Sequence, residues 1–173
     1  MRNIAKPFEA QKEKYDVTYY NIQLKEDFPF PWPGDVFFNT FPESYLQIPK
    51  EILPPSEEIL NKKYDLILFG YQVWYLTPSI PIISFLKSGY AQRILKDTPV
   101  VTISGTRNMW MLSQEKLKVY LRDLQAKLVG NIALVDRHDN YTSVLTILRW
   151  LTTGQKEKSG MLPAAGVSDE EIT

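Results

Sequence analysis

Pro99-Val100-Val101-Thr102-Ile103-Ser104-Gly105 is the stretch on which the fold turns. It is short, β-branched, apolar without alternation, and closed by a glycine. Continuous rather than alternating hydrophobicity belongs to a strand covered on both faces, as in a parallel sheet flanked by helices. Upstream, Asp65-Leu66-Ile67-Leu68-Phe69 ends in Gly70 and has the same character. Downstream, Asn131-Ile132-Ala133-Leu134-Val135-Asp136 repeats it. Asp16-Val17-Thr18-Tyr19-Tyr20-Asn21-Ile22 is more polar but β-prone and suits a sheet edge.

Helices are expected between these strands. Ser113 can cap one in which Leu117, Tyr120, Leu121, Leu124 and Leu128 follow helical spacing, with Lys116, Lys118, Arg122, Asp123 and Lys127 largely opposite. Pro81 to Lys87 starts a shorter apolar helix, proline being accepted in a first turn. Ser143 to Thr153 is a third, with Gly154 placed to stop it. Another is expected over roughly Ile4 to Lys14. Strands alternating with helices give an α/β, doubly wound open sheet. The stretch from Phe28 to Tyr45 reads as a long ordered loop. Residues 1–154 form one expected domain, and 155–173 a tail or the start of an extension.

Composition bounds the function classes. The chain has 173 residues, 44% hydrophobic and 23% charged, with 20 basic against 20 acidic side chains. Such a balance gives no reason to expect nucleic acid or an anionic membrane as the main partner. Cysteine is absent, which excludes disulfides, thiolate chemistry and cysteine-ligated metals. No stretch approaches the roughly 18 apolar residues of a membrane span, and a cytoplasmic protein is expected.

Ligands of an open α/β sheet bind beyond the carboxyl ends of its strands. Gly70-Tyr71-Gln72-Val73-Trp74-Tyr75-Leu76-Thr77-Pro78-Ser79-Ile80-Pro81 leaves one such end, and Gly105-Thr106-Arg107-Asn108-Met109-Trp110 another. Trp74 and Tyr75 offer a flat apolar wall, or else simply cover the sheet end. Gly105 admits close approach of a ligand to the backbone, and Thr106, Arg107 and Asn108 offer donors. Arg107 can meet an anion or a developing negative charge, or form a surface ion pair. His138, the single histidine, lies between Asp136 and Asp139 and reads as part of a solvated loop rather than a metal ligand or general base. A phosphate loop of Gly, Ser or Thr after a first apolar strand is not found. The expected helix runs straight into the Asp16 segment, so that the first strand and phosphate loop read as missing. A shortened start and a complete fold of different architecture are the two explanations. About four hydrogen bonds to a charged phosphate, each roughly 1.5–3 kcal/mol, would be forgone. That corresponds to at least about four decades of affinity.

The Gly70–Pro81 loop resembles the flavin-ring loop of flavodoxin-like NAD(P)H:quinone oxidoreductases. A closer likeness is to the flavodoxin-like dialkylresorcinol condensing enzymes. It rests on Asp27-Phe28-Pro29-Phe30-Pro31-Trp32, the loop just quoted, Thr98-Pro99-Val100-Val101 leading to Arg107-Asn108-Met109-Trp110, Lys127-Leu128-Val129-Gly130-Asn131, and Gly166-Val167-Ser168-Asp169. The motifs are short individually but keep their order from about residue 16 onward. The resemblance implies a flavodoxin-like fold and FMN as cofactor, with NAD(P)H as a candidate electron donor. It implies a redox or aromatising step on a hydrophobic cyclic substrate, on the way to dialkylresorcinols and flexirubin-type pigments. A ketosynthase is the pathway partner it suggests, and a homodimer a candidate assembly. Tyr71, Gln72, Trp74, Tyr75, Gly105 and Thr106 would then contact the cofactor, with Arg107 and Asn108 positioning substrate or stabilising an enolate-like charge. The alternative is a non-catalytic flavodoxin-like module that binds a partner enzyme or a lipid-like intermediate.

Overall fold

The computed structural model describes residues 2–107 and 109–167. The elements are α1 (Arg2–Glu9), α2 (Gly34–Tyr45), α3 (Glu57–Asn61), β1 (Ile67–Trp74), β2 (Thr77–Pro78), α4 (Ile80–Leu86), α5 (Gly89–Leu95), β3 (Pro99–Thr106), α6 (Met111–Asp123), β4 (Lys127–Val135) and α7 (Asn140–Thr153). The sheet order is β2-β1-β3-β4. The pairs β1–β3 and β3–β4 are parallel and only the short β2 runs antiparallel to β1. This open, mostly parallel sheet flanked by helices is the α/β architecture expected, and is consistent with a flavodoxin-like fold.

All three expected inner strands form, and each runs longer than its apolar run. β1 continues through Gly70 to Trp74, so Tyr71, Gln72 and Val73 are strand rather than loop. The Asp16–Ile22 segment forms no strand. Its neighbourhood is tied instead by an isolated antiparallel bridge between Leu24 and Ile52, and by Lys62 reaching Asp16 and Thr18. Its many polar positions leave only one side to bury, and Tyr20 uses that side against Phe85.

Side chains alternate across a strand, so the register sorts the sheet into two faces. Phe69, Tyr71 and Val100 share a core with Ile82, Phe85 and Leu86 of α4, Ala91, Ile94 and Leu95 of α5, and Leu117 and Leu121 of α6. The opposite face carries Leu68 and Gly70 from β1, Val101 and Ile103 from β3, and Gly130, Ile132 and Leu134 from β4. Only Ile103 among these is fully buried, and Ile132 is 41% exposed. Covering of both faces was the expectation; the second face is covered less completely than the first. A bulge between Val100 and Val101 pairs them with Leu128 and Gly130, so Val129 is extruded into solvent.

Helix ends follow local chemistry. Asp139 caps α7 by accepting from the Tyr141 and Thr142 amides, and Gly154 ends it in the left-handed region at φ 74°. Ser113 is not the cap of α6. The helix starts two residues earlier, at Met111 after Trp110, and Ser113 is turned into the interior. α1 ends at Glu9, short of Lys14, and continues as turns. The Phe28–Tyr45 stretch is not all loop. α2 occupies its second half, and Phe37, Phe41 and Tyr45 at fourfold spacing share one side of that helix.

Candidate functional site

Because β1, β3 and β4 are parallel, their carboxyl ends lie together. Three segments leave that end: residues 75–79, which include β2, after β1, residues 107–110 after β3, and 136–139 after β4.

The first connection is a tight reversal. Tyr75 and Leu76 both lie in the left-handed region, at φ 49° and 65°, and Trp74 pairs with Thr77 across them. Two successive positive φ values match the twist a two-residue hairpin demands, a role normally given to Asn or Gly. The reversal is fastened from α2. Thr77 Oγ1 lies against the Ser44 carbonyl at 3.0 Å and the Ser44 hydroxyl at 3.3 Å. The Tyr75 hydroxyl donates to the Phe37 carbonyl, and burial pushes its phenol up to about 12. The Tyr75 ring packs on Phe37 and Phe41. Trp74 meets Phe28 and Trp32 edge-on, and its indole N–H donates to Gln72 Oε1 at 3.0 Å. The aromatic stretch therefore packs on the loop as a cover, and both Trp74 and Tyr75 are half-buried beneath it.

Tyr71 points the other way. It is 4% exposed, and its hydroxyl donates to Gln114 Oε1 at 2.8 Å. Gln114 Nε2 donates in turn to Thr102 Oγ1 at 3.0 Å, which also accepts from Asn131 Nδ2 at 2.9 Å. Burial raises the Tyr71 phenol above its ordinary value. Beside this chain, the hydroxyl of Ser113 is buried with no hydrogen-bond partner among the described residues.

Gln72 and Gly105 are register neighbours, both exposed. A Cβ placed on Gly105 would meet nothing within 4 Å, so the surface beside it is open. The Thr106 carbonyl is taken by the Asp136 amide at 2.8 Å. Arg107 crosses to α7. Its Nε donates to Ser143 Oγ at 3.0 Å, and one terminal nitrogen reaches the carbonyl and side-chain oxygens of Asn140. Asn108 lies outside the described residues.

After β4 comes a group that sequence reasoning set aside. The Asp136 side chain is 1% exposed. Its Oδ1 accepts from the His138 amide at 3.0 Å and lies 2.7 Å from His138 Nδ1, while Oδ2 accepts from Ser143 Oγ at 2.7 Å. Burial alone would push this carboxyl up; the donors from Ser143 and His138 outweigh it and hold it below the ordinary carboxylate value. The structure thus links Arg107, Ser143, Asp136 and His138 in one chain of contacts. The signal available in sequence was an Asp-x-His just past an apolar strand, indistinguishable there from a polar loop.

At this end of the sheet the open surface at Gly105 and the exposed Gln72 lie together, with Trp74 bonded to Gln72. A phosphate needs several converging amides. α7 has its first-turn amides taken by Asp139, and α4 loses one to Pro81. The first turn of α6 has no side-chain cap, but exposed Met109 and Met111 flank it. No helix among the described residues is long and apolar enough to cross a membrane. Comparison with protein families, curated proteins and solved structures finds no match for this chain.

Proposed function

We propose that this chain supplies the ring side of a flavin site in a redox protein similar to the dialkylresorcinol condensing enzymes. Its substrate is a hydrophobic cyclic intermediate on the way to a dialkylresorcinol or flexirubin-type pigment, with NAD(P)H as electron donor. The observation that carries this reading is the convergence of the Trp74–Ser79 and Arg107–Trp110 connections at the carboxyl end of a parallel sheet, beside the open surface at Gly105. A bound flavin supplies the exchange of electrons and hydride. This chain's own residues do the holding. Gly105 and Gln72 border the ring, Trp74 and Tyr75 stiffen the wall behind it, and Arg107 presents positive charge to a substrate oxygen. Exposed Met109 and Met111 give an alkylated substrate an apolar approach.

Titration of the chain with lumiflavin, riboflavin and FMN, followed by flavin fluorescence, tests the reading. All three are expected to bind, with affinities within about threefold of one another, because the ring and not the phosphate is recognised. Absence of binding by all three overturns it.

A second reading, a non-catalytic module docking on a partner enzyme such as a ketosynthase, is favoured by the exposed aromatics of α2. Phe38 is 71% exposed and Tyr45 51%. Failure to bind any flavin, together with co-elution with a ketosynthase, is its expected signature.

A further inference from the structure

We propose that Asp136 and His138 form a proton-transfer dyad at the carboxyl end of β3 and β4, acting on the carbon next to the carbonyl of an apolar ketone. The geometry fixes the imidazole. Asp136 Oδ1 stands 2.7 Å from Nδ1, and a carboxylate so placed accepts a hydrogen bond from that nitrogen. In the neutral ring Nδ1 therefore carries the hydrogen, and Nε2 keeps its lone pair. The His138 side chain is 38% exposed while that of Asp136 is 1% exposed, so the orienting group is inside and the reactive nitrogen belongs to the solvent-facing ring. The second carboxylate oxygen is held by Ser143, and the His138 backbone amide fixes the ring's point of attachment to the same carboxylate. An acid this buried, with three donors on it, is a rigid support for its histidine.

The charges around the ring suit the reaction. Arg107, from the end of β3, bonds only uncharged groups in these contacts: the Ser143 hydroxyl and the two Asn140 oxygens. Its positive charge is separated from Asp136 by the Ser143 hydroxyl. Arg137 stands in the same turn, and the Asp139 carboxylate, one residue on from His138, accepts from the Tyr141 and Thr142 amides. At the same end of the sheet stand Met109, Met111 and Tyr141, which are 64%, 68% and 83% exposed and favour an apolar ligand.

In the step itself His138 Nε2 takes a proton from the α-carbon. The electron pair of the broken C–H bond becomes the C=C bond of an enolate, and the carbonyl electrons move to oxygen, where Arg107 faces the negative charge. The solvent-facing imidazolium exchanges this proton with water, and delivery of a proton from it to carbon regenerates the ketone, so no oxidant or reductant is needed. A positioned base of this kind contributes on the order of 10²–10⁴-fold.

The full chain in D₂O with 2-heptanone provides the test, exchange at the α-carbons being followed by proton NMR. The wild-type chain is expected to exceed an equal concentration of free imidazole by at least about tenfold. His138→Gln is expected to return the rate to background, and Asp136→Asn to lower it by about tenfold or more. His138 is the only histidine, so its ring nitrogens can be read directly by ¹⁵N NMR. The wild type is expected to show the Nδ1–H tautomer and Asp136→Asn a mixture, which separates orientation from folding. A wild-type rate no greater than free imidazole, an unchanged His138→Gln rate, or the Nε2–H tautomer in the wild type overturns the proposal. Exchange is measured without flavin, so this result and the flavin titration can fail independently.

Discussion

Single residues in this molecule are tested most sharply where polar groups enter the core. Gln114 satisfies Tyr71 and Thr102 at once, whereas the Ser113 hydroxyl next to it has no partner among the described residues. Stranding buried partners costs more than removing an unpartnered group. Gln114→Leu is therefore expected to lose about 1–3 kcal/mol in urea unfolding, while Ser113→Ala changes stability by less than about 0.5 kcal/mol or raises it. Asp136 gives a pH-dependent counterpart. Its carboxyl is held below the ordinary value, so the stabilisation it supplies is complete above about pH 4 and is lost as the pH falls through the lowered value. The stability difference between wild type and Asp136→Asn should accordingly shrink below about pH 4, measured as thermal midpoints across an acid series. Neither residue's role was legible in sequence. Gln114 sits among charged helix residues, and His138 and Asp136 become partners only because the turn after β4 folds the ring back onto the carboxylate.

Elements were read with uneven success, for reasons that particular residues make plain. β3 and β4 were legible because their apolar runs are unbroken. Asp16–Ile22 misled because β-propensity says nothing about whether a pairing partner exists. α2 was missed because Pro33 and Pro42 masked the fourfold spacing of Phe37, Phe41 and Tyr45. The β1–β2 hairpin was hidden for a different reason. Its two turn positions are Tyr75 and Leu76, not the glycine or asparagine that announces a reversal. Bulky residues in the left-handed region are strained by roughly 1–2 kcal/mol each. Leu76→Asn is thus expected to stabilise the hairpin by up to about 1 kcal/mol, visible as a higher thermal midpoint. A fall in midpoint would mean that Leu76 contributes more by packing than it loses in backbone strain.

At the scale of the whole molecule, the sheet is guarded unevenly. β3 is paired on both sides, and β2 covers only the last residues of β1, at Val73 and Trp74. The Gln72 carbonyl faces that side, where it accepts from Ser79, so by strand alternation the amides of Leu68 and Gly70 face the same edge, with no strand among the described residues beside them. Leu66, just before β1, is 42% exposed. Open edges flanked by apolar side chains promote association. Leu66→Lys is expected to reduce concentration-dependent light scattering while leaving the thermal midpoint within a few degrees of wild type. The fold class was readable from three apolar runs, but the uneven guarding was not, since it depends on which segments fail to pair. The same order of strands also bears on how the chain acquires its shape. From β1 through β3 to β4, each parallel strand lies beside the next parallel strand along the sequence. None has to be slotted between two already in place. A chain emerging from the ribosome can therefore add its parallel strands in the order in which they are synthesised.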